Sequence, residues 1–223
     1  MTSAQGPDIK RRGRPPSLTR ERIVEAALKL ADQSHLEKVS MRDLASELDV
    51  PVMTIYNYVG SKEELFGMVV DQVLSSVPLP PAESGSWIER IHTLERDARQ
   101  TLREHPGLSL SRHSGSGQEA MRLAEGVISI LRDGGFEPEQ AIMAFATLYT
   151  FMLGQIELDV LADTLGGEAT FEGVAGEASV SRDQLFEIGF AAVIAGIKAN
   201  LLEGKSSVPS GRDFQAHPDQ TPD

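Results

Sequence analysis

A chain of 223 residues can bury one sizeable core, or join a small domain to a larger one. It has no cysteine, which excludes disulfides and thiolate metal sites, and its net charge of −12 excludes a protein that coats nucleic acid over its whole surface. The charge is uneven: Lys10, Arg11, Arg12, Arg14, Arg20 and Arg22 face a single acid, Glu21, between positions 10 and 22, whereas residues 78–223 carry 11 basic and 22 acidic side chains. A basic arm on an acidic body predicts that one end meets a polyanion and the rest stays away from it.

Residues 1–17 are polar and rich in Gly and Pro, and a disordered basic arm is expected there. No apolar run follows the basic residues, so a signal peptide is not expected, and a cysteine-free chain suits the cytoplasm. From Thr19, a plausible N-cap, Ile23, Ala27 and Leu30 recur at helical spacing. A second helix starts at Ser40, where SMRD fits a capping box, and turns Leu44, Ala45 and Leu48 inward. A third, short helix starts with Pro51 in its first turn and runs to about Tyr58. Ser61 opens a fourth, with SKEE as a second capping box, reaching about Ser76. Residues 18–77 thus form one helical unit, and the Pro-rich stretch 77–86 separates it from a body at 86–202.

The body is expected to hold helices at 87–104, 118–132, 138–162 and 181–202, with an acidic, Gly-rich loop late in 157–177 and a disordered tail at 203–223. The run AIMAFATLYTFMLGQI, 141–156, has sixteen uncharged residues, short of the roughly twenty that span a bilayer, so it reads as a buried core helix and no membrane partner is expected. No stretch alternates apolar and polar between hairpin turns, and the fold class is all-α.

The second and third helices are joined only by Leu48, Asp49 and Val50, which fits a helix-turn-helix. Val52, Ile55 and Val59 share one face of the third helix, leaving Met53, Thr54 and Asn57 outward and Tyr56 and Tyr58 at the margins. Such a surface can enter a major groove: Asn pairs with adenine, Thr and Met touch a thymine methyl, and Tyr hydroxyls hold phosphates. Lys62, near a helix N-terminus, adds a phosphate contact. The alternative is that the tyrosines pack on neighbouring helices and Asn57 is merely solvated.

The segments SMRDLASELDV and TIYNYVGSKEEL, within residues 19–71, resemble the N-terminal DNA-binding domain of the TetR family of bacterial transcriptional regulators. The resemblance implies a helix-turn-helix domain with three core helices, followed by a larger C-terminal helical domain for ligand binding and dimerisation. It makes Arg42 and Lys62 backbone contacts and places Val52, Met53, Thr54, Tyr56, Asn57 and Tyr58 on the recognition helix. Asp49 departs from the glycine usual at the turn, but Asp tolerates a left-handed backbone. Pro51-Val52 is more apolar than the start common in the family. In the arm, the R-G-R-P within RRGRPP, 11–16, resembles an AT-hook core, with Arg11, Arg12 and Arg14 set to enter a narrow minor groove; the alternative is a generic tail that screens phosphate.

The resemblance further implies a homodimer on a palindromic duplex operator and release by an unknown small-molecule effector, repression being the family's usual mode. The last helix is apolar over a wide arc, with Phe186, Phe190, Val193 and Ile197 in one stripe and Gly189 and Gly196 in a neighbouring stripe of small residues. These six are the expected dimer interface. The expected effector-site residues are Trp87, His92, His113, Met121, Phe145, Tyr149, Met152 and Gln155, though aromatic and Met stripes at helical spacing also make ordinary core. No cofactor and no metal is expected. Two other readings stay open: an architectural or activating DNA binder without an effector, and an α-helical enzyme, for which the sole hint is the G-x-G-x-x-A pattern at 115–120.

Overall fold

The computed structural model describes residues 18–108, 117–165 and 181–204. Within these residues the chain is helical, without a strand. The expected arm with Arg11, Arg12 and Arg14, the residue His113, most of the acidic loop and nearly all of the expected tail lie outside the described residues.

Helix α1, Arg20–Ser34, starts at Thr19, whose hydroxyl accepts from the Arg22 N–H at 3.3 Å. Helix α2, Met41–Leu48, carries the expected capping box: the Ser40 hydroxyl accepts from the Asp43 N–H, and the Asp43 carboxylate accepts from the Ser40 N–H. It ends in a left-handed residue, Asp49, at φ 54° and ψ 48°. Val50 N–H reaches back to the Ala45 carbonyl and Asp49 N–H to that of Ser46, so an aspartate closes a Schellman turn where glycine is the usual solution.

Helix α3, Val52–Tyr56, is a turn and a half long, and Pro51 sits just before it as the N-cap rather than inside its first turn. Helix α4, Lys62–Leu74, is capped by the Ser61 hydroxyl. The second half of that capping pattern slips by one residue, because the Glu64 carboxylate accepts from the Gly60 N–H.

The body contains α5, Trp87–Arg103, and α6, Gln118–Asp133, followed by α7, Pro138–Leu165, and α8, Arg182–Ile197, which continues as one wide π turn over Lys198–Leu202. Ser86 with Glu89, and Ser181 with Gln184, form two further capping boxes.

Two apolar clusters hold these helices together. The first joins α1–α4 to the body, since Ile23, Leu44, Ile55 and Val69 share it with Leu102, Leu108, Met152, Ile156 and Phe186. The second fills the far end with Ile91, Leu131, Phe136, Leu148, Phe190 and Ile197. The N-terminal helices are therefore seated on the body by a continuous hydrophobic contact, not merely tethered by the Pro-rich stretch.

Helix α7 is buried on one side: Ala141, Ala144, Leu148 and Met152 face inward, while Ile142, Met143, Ala146, Thr147, Thr150 and Gly154 are exposed. By length and composition alone, α7 and α8 could each span a bilayer. Both nevertheless dock on one buried guanidinium, that of Arg99. In particular, Arg99 of α5 forms a two-bond fork with Asp159 of α7, Nε to Oδ2 at 2.7 Å and Nη2 to Oδ1 at 2.9 Å, and its Nη1 donates to Asp183 of α8 at 2.9 Å.

Candidate functional site

The outer face of α3 is small and well defined. Ile55 and Val59 are sunk in the first cluster, which fixes the rotation of the helix. Met53 is then 71% exposed and Tyr56 41%, with Asn57 exposed and Thr54 half-buried beside them. Val52, expected on the inward face, and Tyr58, expected at the margin, lean on the core and are only half exposed, in line with the rotation that buries Ile55.

The Tyr58 carbonyl accepts from Arg20 Nε at 2.8 Å, so α1 clamps the end of α3 and brings a guanidinium to its edge. Arg42 is exposed on α2. The Lys62 ammonium donates to the Glu37 carbonyl at 3.1 Å and lies 4.9 Å from the Phe66 ring centroid. Two of its three hydrogens remain beyond that bond. Met53, Thr54, Tyr56 and Asn57 thus share one surface, with Arg20 bonded at its edge.

A second feature lies between the two apolar clusters: a cavity of about 440 Å³. Its walls come from α5 with Leu94, Glu95, Ala98 and Leu102; from α6 with Ala120, Met121, Leu123, Ala124 and Val127; and from α7 with Phe145, Tyr149, Met152, Leu153 and Ile156. Leu74, the last residue of α4, closes one end. Phe145 and Tyr149 stack with ring centroids 5.8 Å apart, and Met121 and Tyr149 are exposed.

Of the expected effector residues, Met121, Phe145, Tyr149 and Met152 meet here. Trp87 and His92 do not. Trp87 packs edge-on against Phe136, 5.1 Å away, in the second cluster. His92 Nε2 lies 2.9 Å from Glu187 on α8 and its ring packs on Phe190, so it bridges α5 to α8. Gln155 is buried but off the cavity wall. Glu95, which the sequence reading missed, is on the wall: it is 6% exposed, its Oε2 has no hydrogen-bond partner, and burial pushes its carboxyl up to about 8. Only its place on the inner face of an amphipathic helix, between Ile91 and Leu94 on one side and Ala98 and Leu102 on the other, could have signalled it.

The cavity and the N-terminal helices meet at a polar seam. The Asp71 carboxylate of α4 caps α6, accepting from the Gln118 N–H at 2.7 Å and the Glu119 N–H at 3.2 Å. From the other side, Arg122 of α6 donates to the Val77 carbonyl at 2.9 Å, just past the end of α4. Gly117 permits the approach, since a Cβ there would stand 2.0 Å from Asp71 Oδ1. That contact also accounts for the last glycine of the G-x-G-x-x-A pattern: a carboxylate already fills the helix N-terminus where a dinucleotide phosphate would sit, so the enzyme hint loses its footing. Among the described residues no group of three or more His, Asp or Glu is placed to hold a metal.

The six expected interface residues divide. Phe186, Phe190 and Ile197 are buried within the protomer's own clusters, and a Cβ at Gly189 would meet the Phe151 ring at 2.7 Å, so these four serve packing inside one chain. Val193 is half-buried in the second cluster, and Gly196 has open space before it. The outer face of α8 is instead Ile188, 67% exposed, with Ala191, Ala192 and Ala195. Beside it on α7, the Thr147 and Thr150 hydroxyls bond back to the Met143 and Ala146 carbonyls. These threonines therefore offer mainly their methyl groups, and the combined α7–α8 face is apolar.

Residues 23–69 match the family described as "Bacterial regulatory proteins, tetR family", and residues 79–176 match "Tetracyclin repressor-like, C-terminal domain". The HTH-type transcriptional repressor DrrR1 of Streptomyces coeruleorubidus is 32% identical over 146 residues, 64% of this chain; the match spans only 54% of DrrR1's length. Among solved structures, apo ActR of Streptomyces coelicolor is 32% identical with a TM-score of 0.69, over 82% of this chain and 98% of ActR. ActR in complex with actinorhodin superposes at a TM-score of 0.72, with 29% identity over 85% and 99% of the two chains. BioQ with its double-stranded DNA operator gives a TM-score of 0.67 and 26% identity, over 82% of this chain and 99% of BioQ. The chain belongs to the TetR family of bacterial regulatory proteins.

Proposed function

We propose that the protein is a transcriptional repressor that binds a palindromic duplex operator as a homodimer and releases it when a small molecule enters the cavity. The observation that carries this reading is the placement of Leu74. The last residue of α4 is itself part of the cavity wall, and the same helix bears Lys62 at its other end, the end that follows α3 in the chain. ActR with actinorhodin and BioQ with its operator are structural relatives that bind, respectively, a small molecule and DNA, which supports both halves of the reading.

On DNA, Asn57 and Thr54 read base edges while Arg42 and Lys62 hold phosphates. A single α3 covers too few base pairs, so two copies must be held at a fixed spacing, one helical turn of DNA or a multiple apart. The apolar α7–α8 face suits a second copy. Effector bound among α5, α6 and α7 favours one arrangement of α6 over another. Through the Asp71 and Arg122 bonds, that preference reorients α4 and the two recognition helices. The ligand achieves this only to the extent that its affinity differs between the two states.

Selection of bound sites from random duplexes tests the reading. A two-fold symmetric consensus is expected, and a non-symmetric or sequence-indifferent result defeats it. Asn57→Ala is expected to relax preference at one position of each half-site, costing about 1–3 kcal/mol. Lys62→Ala is expected to weaken all sequences alike and to lower the salt slope by about one counterion per half-site. Removal of residues 1–17 separates the architectural alternative: a weakened but still sequence-specific complex supports the regulator, and loss of all binding supports an arm-led architectural protein.

A further inference from the structure

The cavity has one polar feature that the helix-turn-helix and the apolar clusters leave unexplained. Glu95 lies on its wall, almost fully buried, with Oε2 unpartnered. Its neighbours on that wall, Leu94, Ala98 and Leu102 from its own helix and Val127, Met152 and Ile156 from α6 and α7, are apolar.

The charged groups of the surrounding helices are engaged elsewhere. On α5, Arg99 is held by Asp159 and Asp183, and Arg90 by Asp133. On α6, Arg122 pairs with Glu119 and caps the end of α4, while Glu125 is exposed and off the wall. On α4, Asp71 is held by the α6 N-terminus. Among the described residues, Tyr149 of α7 is the one other titratable side chain on the wall, and α8 contributes none.

This chemistry selects among ligands. A purely apolar molecule leaves the buried oxygen without a partner, at the full desolvation cost. An anion meets a carboxyl with no cation on the wall, among the described residues, to hold it. A sugar or phosphate brings many acceptors to walls that offer almost no donors. A molecule with an apolar body and a single protonated amine satisfies the site, because its N–H groups reach the carboxylate in a low-dielectric space where such bonds are strong. We propose that the effector cavity takes a lipophilic amine, with its body against α6 and α7 and its ammonium group on Glu95. The proposal rests on the reading of this cavity as the effector site.

The proton balance gives the test its readout. In the empty cavity the carboxyl, pushed up to about 8 by burial, keeps its proton at neutral pH. When the ammonium arrives, that proton leaves for solvent and no covalent bond to carbon changes. Amine binding therefore strengthens about tenfold per pH unit until the carboxyl's own pKa is reached, whereas a neutral ligand shows no such slope.

Fluorescence titration of the full chain with 9-(aminomethyl)anthracene and 9-(hydroxymethyl)anthracene compares two probes of one shape, of which only the first is a cation. The amine is expected to bind about tenfold more tightly than the alcohol near pH 8 and to lose about tenfold on moving one unit down, with the alcohol unchanged. Glu95→Gln is expected to abolish both the preference and the slope while leaving alcohol binding intact. Equal affinities, a flat amine profile, or a preference that survives in Glu95→Gln overturns the proposal. Alcohol binding without amine preference overturns it but leaves the effector cavity standing. If neither probe binds a chain that still binds its operator, the amine proposal falls together with this cavity's role as effector site. Should Glu95→Gln fail to fold, the wild-type pH series decides alone.

Discussion

Two buried ionisable side chains, one neutral and one charged, set opposite terms in this molecule's stability at the residue scale. Glu95 is kept neutral by burial, with its carboxyl raised to about 8 against a reference value of 4.5. Between those two pH values the folded chain retains a proton that the unfolded chain has released, so stability falls as pH rises through that window. At pH 7 the accumulated loss is about 3 kcal/mol. Glu95→Gln removes the slope: urea unfolding between about pH 5 and pH 8 is expected to show the variant level with wild type at the acid end and more stable by roughly that amount at neutrality. Arg99 is the opposite case, a buried charge with every advantage of geometry. Arg99→Met leaves buried Asp159 with only its longer ion pair to Arg182, at 3.9 Å, and a loss of about 3 kcal/mol is expected in the same assay. Pairing it with Asp159→Leu is expected to recover most of that loss, because two apolar side chains replace two charges. Neither feature was legible in the sequence. Arg99 and its partners are 60 and 84 positions apart, and the isolation of Glu95 depends on which helices close over it.

At the element scale the sequence was most informative where the physics is local. Thr19, Ser40, Ser61 and Ser181 each cap the helix that follows, since a hydroxyl and an N–H three residues on need no tertiary partner. The inward face of α3 was likewise readable, because Ile55 and Val59 recur one turn apart. What escaped was contact between elements. Nothing near Asp71 announces that it caps a helix starting 47 positions later, and nothing near Gly117 announces the carboxylate it must admit. This clamp makes a prediction with a change of sign. Replacing glycine by alanine at a position with ordinary φ stabilises by about 0.4–1 kcal/mol through the unfolded chain. In the wild type, Gly117→Ala is expected to destabilise instead, by about 1 kcal/mol, because the new methyl displaces the capping carboxylate. In an Asp71→Ala background that carboxylate is gone, and the same change is expected to stabilise. A double-mutant cycle by thermal or urea unfolding reads the coupling directly, and additivity of the two changes would show that the clamp contributes nothing.

For the whole molecule, the distribution of apolar surface decides how the chain is used. A wide apolar arc on α8 was visible in the sequence, but which stripe of it would be buried at home was not. That choice depends on Phe151 of α7 pressing against Gly189 and on both phenylalanines of α8 turning inward. The face left over, Ile188 with the alanines of α8 and the methyl-bearing threonines of α7, has no partner among the described residues of a single chain and is flanked by acidic surface that water prefers. In the homodimer proposed above a second copy covers it by two-fold symmetry, an arrangement that also sets the two α3 helices as a palindrome requires. Ile188→Glu places a like charge on both sides of such an interface, at the cost of several kcal/mol. It leaves each protomer's clusters untouched, because Ile188 belongs to neither. The expected result is a folded monomer in sedimentation, with wild-type helicity and an operator affinity reduced at least about tenfold. A variant that stays dimeric and binds its operator normally would move the interface elsewhere on the body.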